Sequence, residues 1–180
     1  SLDLKSSKQE VQSVISNWIK KNYSYNDKCW SYDLIAKRII SWLSNHNLSY
    51  DGSDQDYKSD FNKIILKQTN HLVNEVNKSK TLDDKLICCA SIILVGLCYQ
   101  EEKKYLSFGI SLLKKITKLS LENSGFPKSR NIKQLIFYLK YFILIREWFK
   151  ESQNSVPEHV DETIYHLGQG YAFIWQNTGS

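Results

Sequence analysis

The chain has 180 residues, 42% of them hydrophobic, with two prolines, seven glycines, four cysteines and a formal net charge of +5. That length and apolar content suit one substantial core, and the scarcity of proline and glycine argues against disorder or a hinged linker. Basic and acidic residues are interspersed, so the positive balance favours anionic partners weakly; nucleic acid, an anionic sugar polymer and a membrane surface all stay open.

Along the chain the hydrophobic spacing is helical throughout, with no convincing period-two alternation. A first amphipathic run, Val11, Val14, Ile15, Trp18 and Ile19, ends near Asn22-Tyr23. A second begins after Ser31 and places Leu34, Ile35, Ile39, Trp42 and Leu43 on one stripe. Ser44 to Gly52 reads as a loop, and His46 within it as a loop residue. Ser53 is the expected cap of a third helix, whose buried face runs Phe61, Ile64, Ile65, Leu72, Val76. Thr81 with Asp83 and Asp84 opens a fourth, favourably placed against the helix dipole. Its body, Leu86 to Tyr99, contains 14 residues and no charge. A bilayer needs about 20, so this segment predicts a helix buried on most sides rather than a membrane span.

A fifth helix is predicted over Lys103–Leu121 and a sixth over Ile132–Phe149, the latter interrupted by Lys140 and Arg146. Between them lies the polar turn from Glu122 to Asn131. Gly125 permits a left-handed exit there, Pro127 stops helix propagation, and Asn131 stands three residues before Gln134, the spacing of an N-cap with a capping-box partner. Ser155-Val156-Pro157-Glu158 opens a seventh helix running toward Trp175, and Gln176 to Gly179 reads as a turn. The expected fold is therefore all-α, with antiparallel helical hairpins; a two-layered ring of hairpins or an irregular bundle would accommodate the all-round burial of the fourth helix. One domain over 1–180 follows. The absence of methionine and of a charged-then-apolar leader suggests a piece of something longer.

Cys29, Cys88, Cys89 and Cys98 form no CxxC pair, and no histidine stands at ligand spacing to them. They read as buried free thiols, which leans toward a reducing compartment, and no metal or cofactor is expected. His71 reads as a structural histidine hydrogen-bonded at the core edge beside Gln68, and most of the five tryptophans as core anchors. The short clusters Lys114-Lys115 with Lys118 and Lys103-Lys104 read as the exposed face of the fifth helix, too short for a nucleic-acid stripe.

Several segments in linear order resemble a known family: Trp30 with Leu34 to Leu43, then Lys67 to Leu72, then Leu94-Val95-Gly96-Leu97, then the turn Gly125–Asn131, and at the end Phe173 to Gly179. Together they look like the N-terminal helical domain of heparinase II/III-type polysaccharide lyases, over roughly 150 residues. The resemblance implies an incomplete (α/α) toroid followed by a C-terminal β-sandwich, with a cleft between them in which uronate-containing chains are cut by β-elimination. It also implies a periplasmic or cell-envelope location. Such chemistry needs a group to neutralise the uronate carboxylate, a base for the C5 proton and an acid for the leaving oxygen.

The family's Asn-His and Tyr-His pairs would fall near Asp84-Lys85 and Gln134-Leu135 in this sequence. Neither pair is present, and glutamine is no base. The resemblance thus leaves Lys85, Arg130, Asn131 and Gln134 as substrate-binding candidates, with catalysis carried by other residues or lost in a non-catalytic glycan-binding or scaffolding relative. Acidic polysaccharide is the implied partner, and an α-helical protein- or nucleic-acid-interaction module is the rival from another class. The two turns carrying these candidates, Thr81–Lys85 and Lys128–Gln134, are expected to meet at one rim.

Overall fold

The computed structural model describes residues 2–178, and the side chains of 5–176. The fold is all-α. In chain order the helices are α1 (Leu2–Asn22), α2 (Tyr32–Ser44), α3 (His46–Ser49), α4 (Gln55–Glu75), α5 (Leu82–Cys98), α6 (Lys103–Ser120), α7 (Ile132–Glu151) and α8 (Glu158–Thr178), with a 3-10 turn at Val76–Lys78 after α4. Among the described residues the only β-structure is one antiparallel bridge, Leu121 to Pro127.

α5 organises the packing. Every residue from Leu86 to Leu97 is buried, as the charge-free run predicts, and α2, α4, α6 and α7 all lie against it. The closest approach is at Gly96, where a Cβ would fall 2.5 Å from the backbone nitrogen of Leu106. Only a residue without a side chain lets α5 and α6 come this near. The Cys89 thiol donates to the Gly109 carbonyl across the same hairpin, at 3.1 Å. Burial pushes the Cys88 thiol up to about 12 and the Cys89 thiol well above its ordinary value, so both stay protonated and inert.

Around α1, α2 and α4 the core is aromatic. Trp18 meets Trp42 edge-on at 5.5 Å, and Phe61 collects Trp42, Tyr50 and Tyr57 within 6.0 Å. The Arg38 guanidinium sits over the Trp18 ring at 3.9 Å, donating to the Cys29 carbonyl at 2.8 Å and to Gln68 Oε1 at 3.1 Å. No carboxylate pairs with it among the described residues, and burial lowers its proton affinity to about 10.

Several local expectations are corrected. Asp54, not Ser53, caps α4, its carboxylate accepting from the Tyr57 backbone N–H at 2.8 Å. The Ser53 hydroxyl donates to the Tyr50 carbonyl instead, because the chain is still turning there. The 44–52 loop contains the short helix α3, opened by His46. Cys98 is exposed and Cys29 half-buried, so only Cys88 and Cys89 are buried thiols. His71 is held by the rings of Tyr25, Trp30 and Tyr32, with no hydrogen bond among the described residues. Trp175 is 67% exposed, whereas Trp30 and Trp148 are buried. Finally, α8 continues through Gln176, Asn177 and Thr178, where a turn was expected; Gly179 lies outside the described residues.

Candidate functional site

The segment between α6 and α7 is a tight hairpin rather than an open loop. Glu122 N–H donates to the Phe126 carbonyl at 2.8 Å, Gly125 N–H to the Glu122 carbonyl at 2.9 Å, and Lys128 N–H to the Ser120 carbonyl at 2.8 Å. Gly125 has φ +80°, the left-handed exit that its position predicts. Arg130 also lies in that region, at φ 58°, which a side-chain-bearing residue rarely occupies. Its guanidinium is fixed back onto the turn by an ion pair with Glu122 at 2.9 Å, yet 68% of the side chain faces solvent.

Asn131 caps α7: its side-chain oxygen accepts from the Lys133 backbone N–H at 2.9 Å. The capping-box partner expected at Gln134 does something else. Gln134 Nε2 donates to Asp83 Oδ1 at 2.7 Å, while its Oε1 accepts from the Ser129 hydroxyl at 2.6 Å. Ser129 Oγ in turn accepts from the Asn131 backbone N–H at 3.2 Å. Ser129 thus replaces Gln134 in closing the helix start, and frees the amide to reach across to α5. At that helix start, Thr81 accepts from the Asp84 backbone N–H at 3.1 Å, so the cap forms as its sequence predicts.

The consequence is geometric. The starts of α5 and α7 are tied together at one end of the helical array by a 2.7 Å hydrogen bond. Gln134 therefore meets Asp83 directly, while its chain neighbours Arg130 and Asn131 turn to Glu122 and to the Lys133 N–H. Lys85 sits one turn into α5, half-buried, and makes no ion pair among the described residues. One turn further along α7, the Tyr138 hydroxyl is fully buried with no hydrogen-bond partner. Ser120 lies nearby, and because its hydroxyl donates to the Ile116 carbonyl at 2.6 Å it has only acceptor capacity left toward Tyr138. Burial raises the Tyr138 phenol to about 12, so it is a poor proton-transfer group.

Both ends of the Gln134 amide and the Asn131 oxygen are used within the protein. Among the four candidates, Arg130 and Lys85 keep donors for an anion. On α8, Tyr165 is 63% exposed. Among the described residues no group of three or more His, Cys, Asp or Glu side chains could hold a metal ion, and no helix is long and apolar enough to cross a membrane.

Sequence reasoning did not anticipate an open groove of about 600 Å³ between α6 and α8. Lys114, Lys115 and Lys118 line one wall, His159, Glu162 and His166 the other, and Glu122 and Gly125 close one end. The lysines were legible as the exposed face of their helix, but nothing in the sequence paired them with α8. Compared with protein-family models, curated proteins and solved structures, the chain gives no significant match.

Proposed function

We propose that this chain is the helical substrate-binding domain of a heparinase II/III-like polysaccharide lyase, an incomplete toroid whose rim holds an acidic, uronate-containing chain. A C-terminal β-sandwich of the same protein would form the other half of the cleft. The observation that carries this reading is the Gln134–Asp83 bond, because it brings together the two turns at which the resemblance places the substrate cleft. Arg130 presents a planar donor fork suited to a carboxylate or sulfate. The tie to Glu122 holds that fork in position without burying it.

The same geometry favours a binding role for this half. Gln134 and Asn131 are occupied, Tyr138 is sealed, and the carboxylates at the rim, Asp83 and Glu122, are held by Gln134 and Arg130, so this reading assigns proton transfer to the partner domain. A non-catalytic glycan-binding role would use the same rim contacts and needs no proton-transfer group in this half.

The test is a titration of the 180-residue chain with a uronate oligosaccharide, followed by NMR, beside an ultraviolet assay for unsaturated uronate. Weak saturable binding that Arg130→Ala abolishes and Asn131→Ser retains is expected, without product. A single exposed Arg–anion contact contributes about 1–3 kcal/mol, which corresponds to weak affinity once ordering a sugar chain is counted. Binding indifferent to Arg130→Ala, or product formed by this chain alone, would overturn the proposal.

A further inference from the structure

The groove between α6 and α8 carries chemistry that neither the core nor the rim uses. Its walls run side by side: Lys114 lies close enough to His159 to lower its proton affinity, and seven residues further along α8, His166 meets Gly125 of the turn. Lys114, Lys115 and Lys118 are exposed, and none has a carboxylate within ion-pair distance among the described residues. Two carboxylates line the same groove: Glu122 is engaged by Arg130 at 2.9 Å, and Glu162, on the α8 wall, forms no ion pair with the lysines among the described residues. On the opposite wall, His159 Nε2 is buried with no hydrogen-bond partner, an arrangement that native interiors rarely tolerate. Leu119 and Leu121 add apolar surface, and the volume falls within the range of about 300–1,000 Å³ usual for small-ligand sites.

We propose that this groove is a second anion site, taking the sulfate, phosphate or carboxylate group of a ligand whose carbon skeleton rests on Leu119 and Leu121. The ammonium groups of Lys114 and Lys118, one helical turn apart, supply the charge. The His159 imidazole gains the partner it lacks by turning toward the bound oxyanion. Arg130 is a positioning residue for this site: by holding Glu122 it keeps that carboxylate from neutralising the lysines.

The proposal stands beside the rim reading, and one comparison separates them. If Arg130 touches the anion itself, Arg130→Ala weakens binding and Glu122→Gln does not restore it. If Arg130 acts by holding Glu122, the double variant Arg130→Ala/Glu122→Gln recovers wild-type affinity. The probe is sodium sulfate against sodium chloride at equal ionic strength, read by the imidazole NMR signals of the 180-residue chain. A sulfated disaccharide, a sugar phosphate and a uronate disaccharide form parallel arms that sort the source of the oxyanion. Saturable shifts are expected at His159 and His166 and not at His46 or His71. Lys114→Ala/Lys118→Ala should weaken binding about tenfold, with Lys103→Ala/Lys104→Ala unchanged. An unchanged urea midpoint in the groove variant shows that folding is retained; should it fall, the single variants serve in its place. Unmoved His159 and His166 signals, equal losses in both lysine pairs, or no recovery in the Arg130/Glu122 double variant would each overturn the proposal.

Discussion

Gly125 lies directly against His166: a Cβ on Gly125 would fall 2.5 Å from the His166 Cβ and 2.6 Å from its carbonyl carbon. The hairpin that carries Arg130 is therefore seated on α8 by contact with backbone, which cannot move aside as a flexible side chain can. Gly125→Ala should combine the cost of a left-handed alanine with this overlap, about 2–4 kcal/mol in all. Gly52 is a natural control, since its φ is +77° with nothing within 4 Å. Gly52→Ala should cost only about 1–2 kcal/mol. Urea unfolding of the two variants checks the difference, and equal losses would contradict a rigid seat on His166.

The Gln134–Asp83 bond is the only described side-chain hydrogen bond between α5 and α7, so its contribution can be isolated. Gln134→Ala and Asp83→Ala should each lower stability by about 1 kcal/mol, and the double variant by clearly less than their sum, with a coupling of about 0.5–1.5 kcal/mol. Additive losses in this cycle would mean that the two turns are held together by packing alone.

Arg38 is a half-buried cation without a carboxylate partner among the described residues, fixed by the Cys29 carbonyl, Gln68 and the face of Trp18. Arg38→Ala should cost about 3 kcal/mol, because it strands two acceptors and uncovers an indole. Arg38→Lys should recover only part of this, since a lysine ammonium neither spans both acceptors nor stacks. Denaturant midpoints of the two variants decide it; full recovery by lysine would show that charge alone matters.

Burial lowers the proton affinity of His71 and His159. For His71, Glu75 partly offsets the burial and Lys78 adds to it; for His159, Lys114 adds to it. The unfolded chain therefore takes up these protons more readily than the folded one. Their contribution is complete above the ordinary histidine value of 6.5 and is lost as pH falls below it, through the folded values. Urea midpoints measured from about pH 8 down to pH 5 should decline, and His159→Gln should flatten that decline. A profile that rises on acidification would contradict the assignment.

Much of this architecture was legible because it depends on local chemistry. A charge-free run of α5 residues can only be buried, Thr81 and Asn131 cap wherever a helix starts at them, and glycine at 125 marks a left-handed bend. What escaped depended on partners distant in sequence. Gln134 has capping-box spacing, but Ser129 is the nearer partner for the Asn131 N–H, and Asp83, 51 residues away, claims the amide. The lysines of α6 and the histidines of α8 each follow helical spacing, and only the fold places one stripe opposite the other. Trp175 has the composition of a core residue, yet it sits near the end of α8, whose main packing partner is α7, and stays exposed.

The sheathing of α5 also determines where this chain can tolerate change in its outline. With α2, α4, α6 and α7 each covering part of it, every one of these is obligatory, and deleting any would bare a rod of Ile, Leu and Val to water. Such a rod sticks to its own kind before it can be rescued. The outer helices α1 and α8 do not cover it to any such extent, so fusions, tags and grafted modules belong at the two ends. Attempts to shorten the middle should yield inclusion bodies rather than a smaller domain.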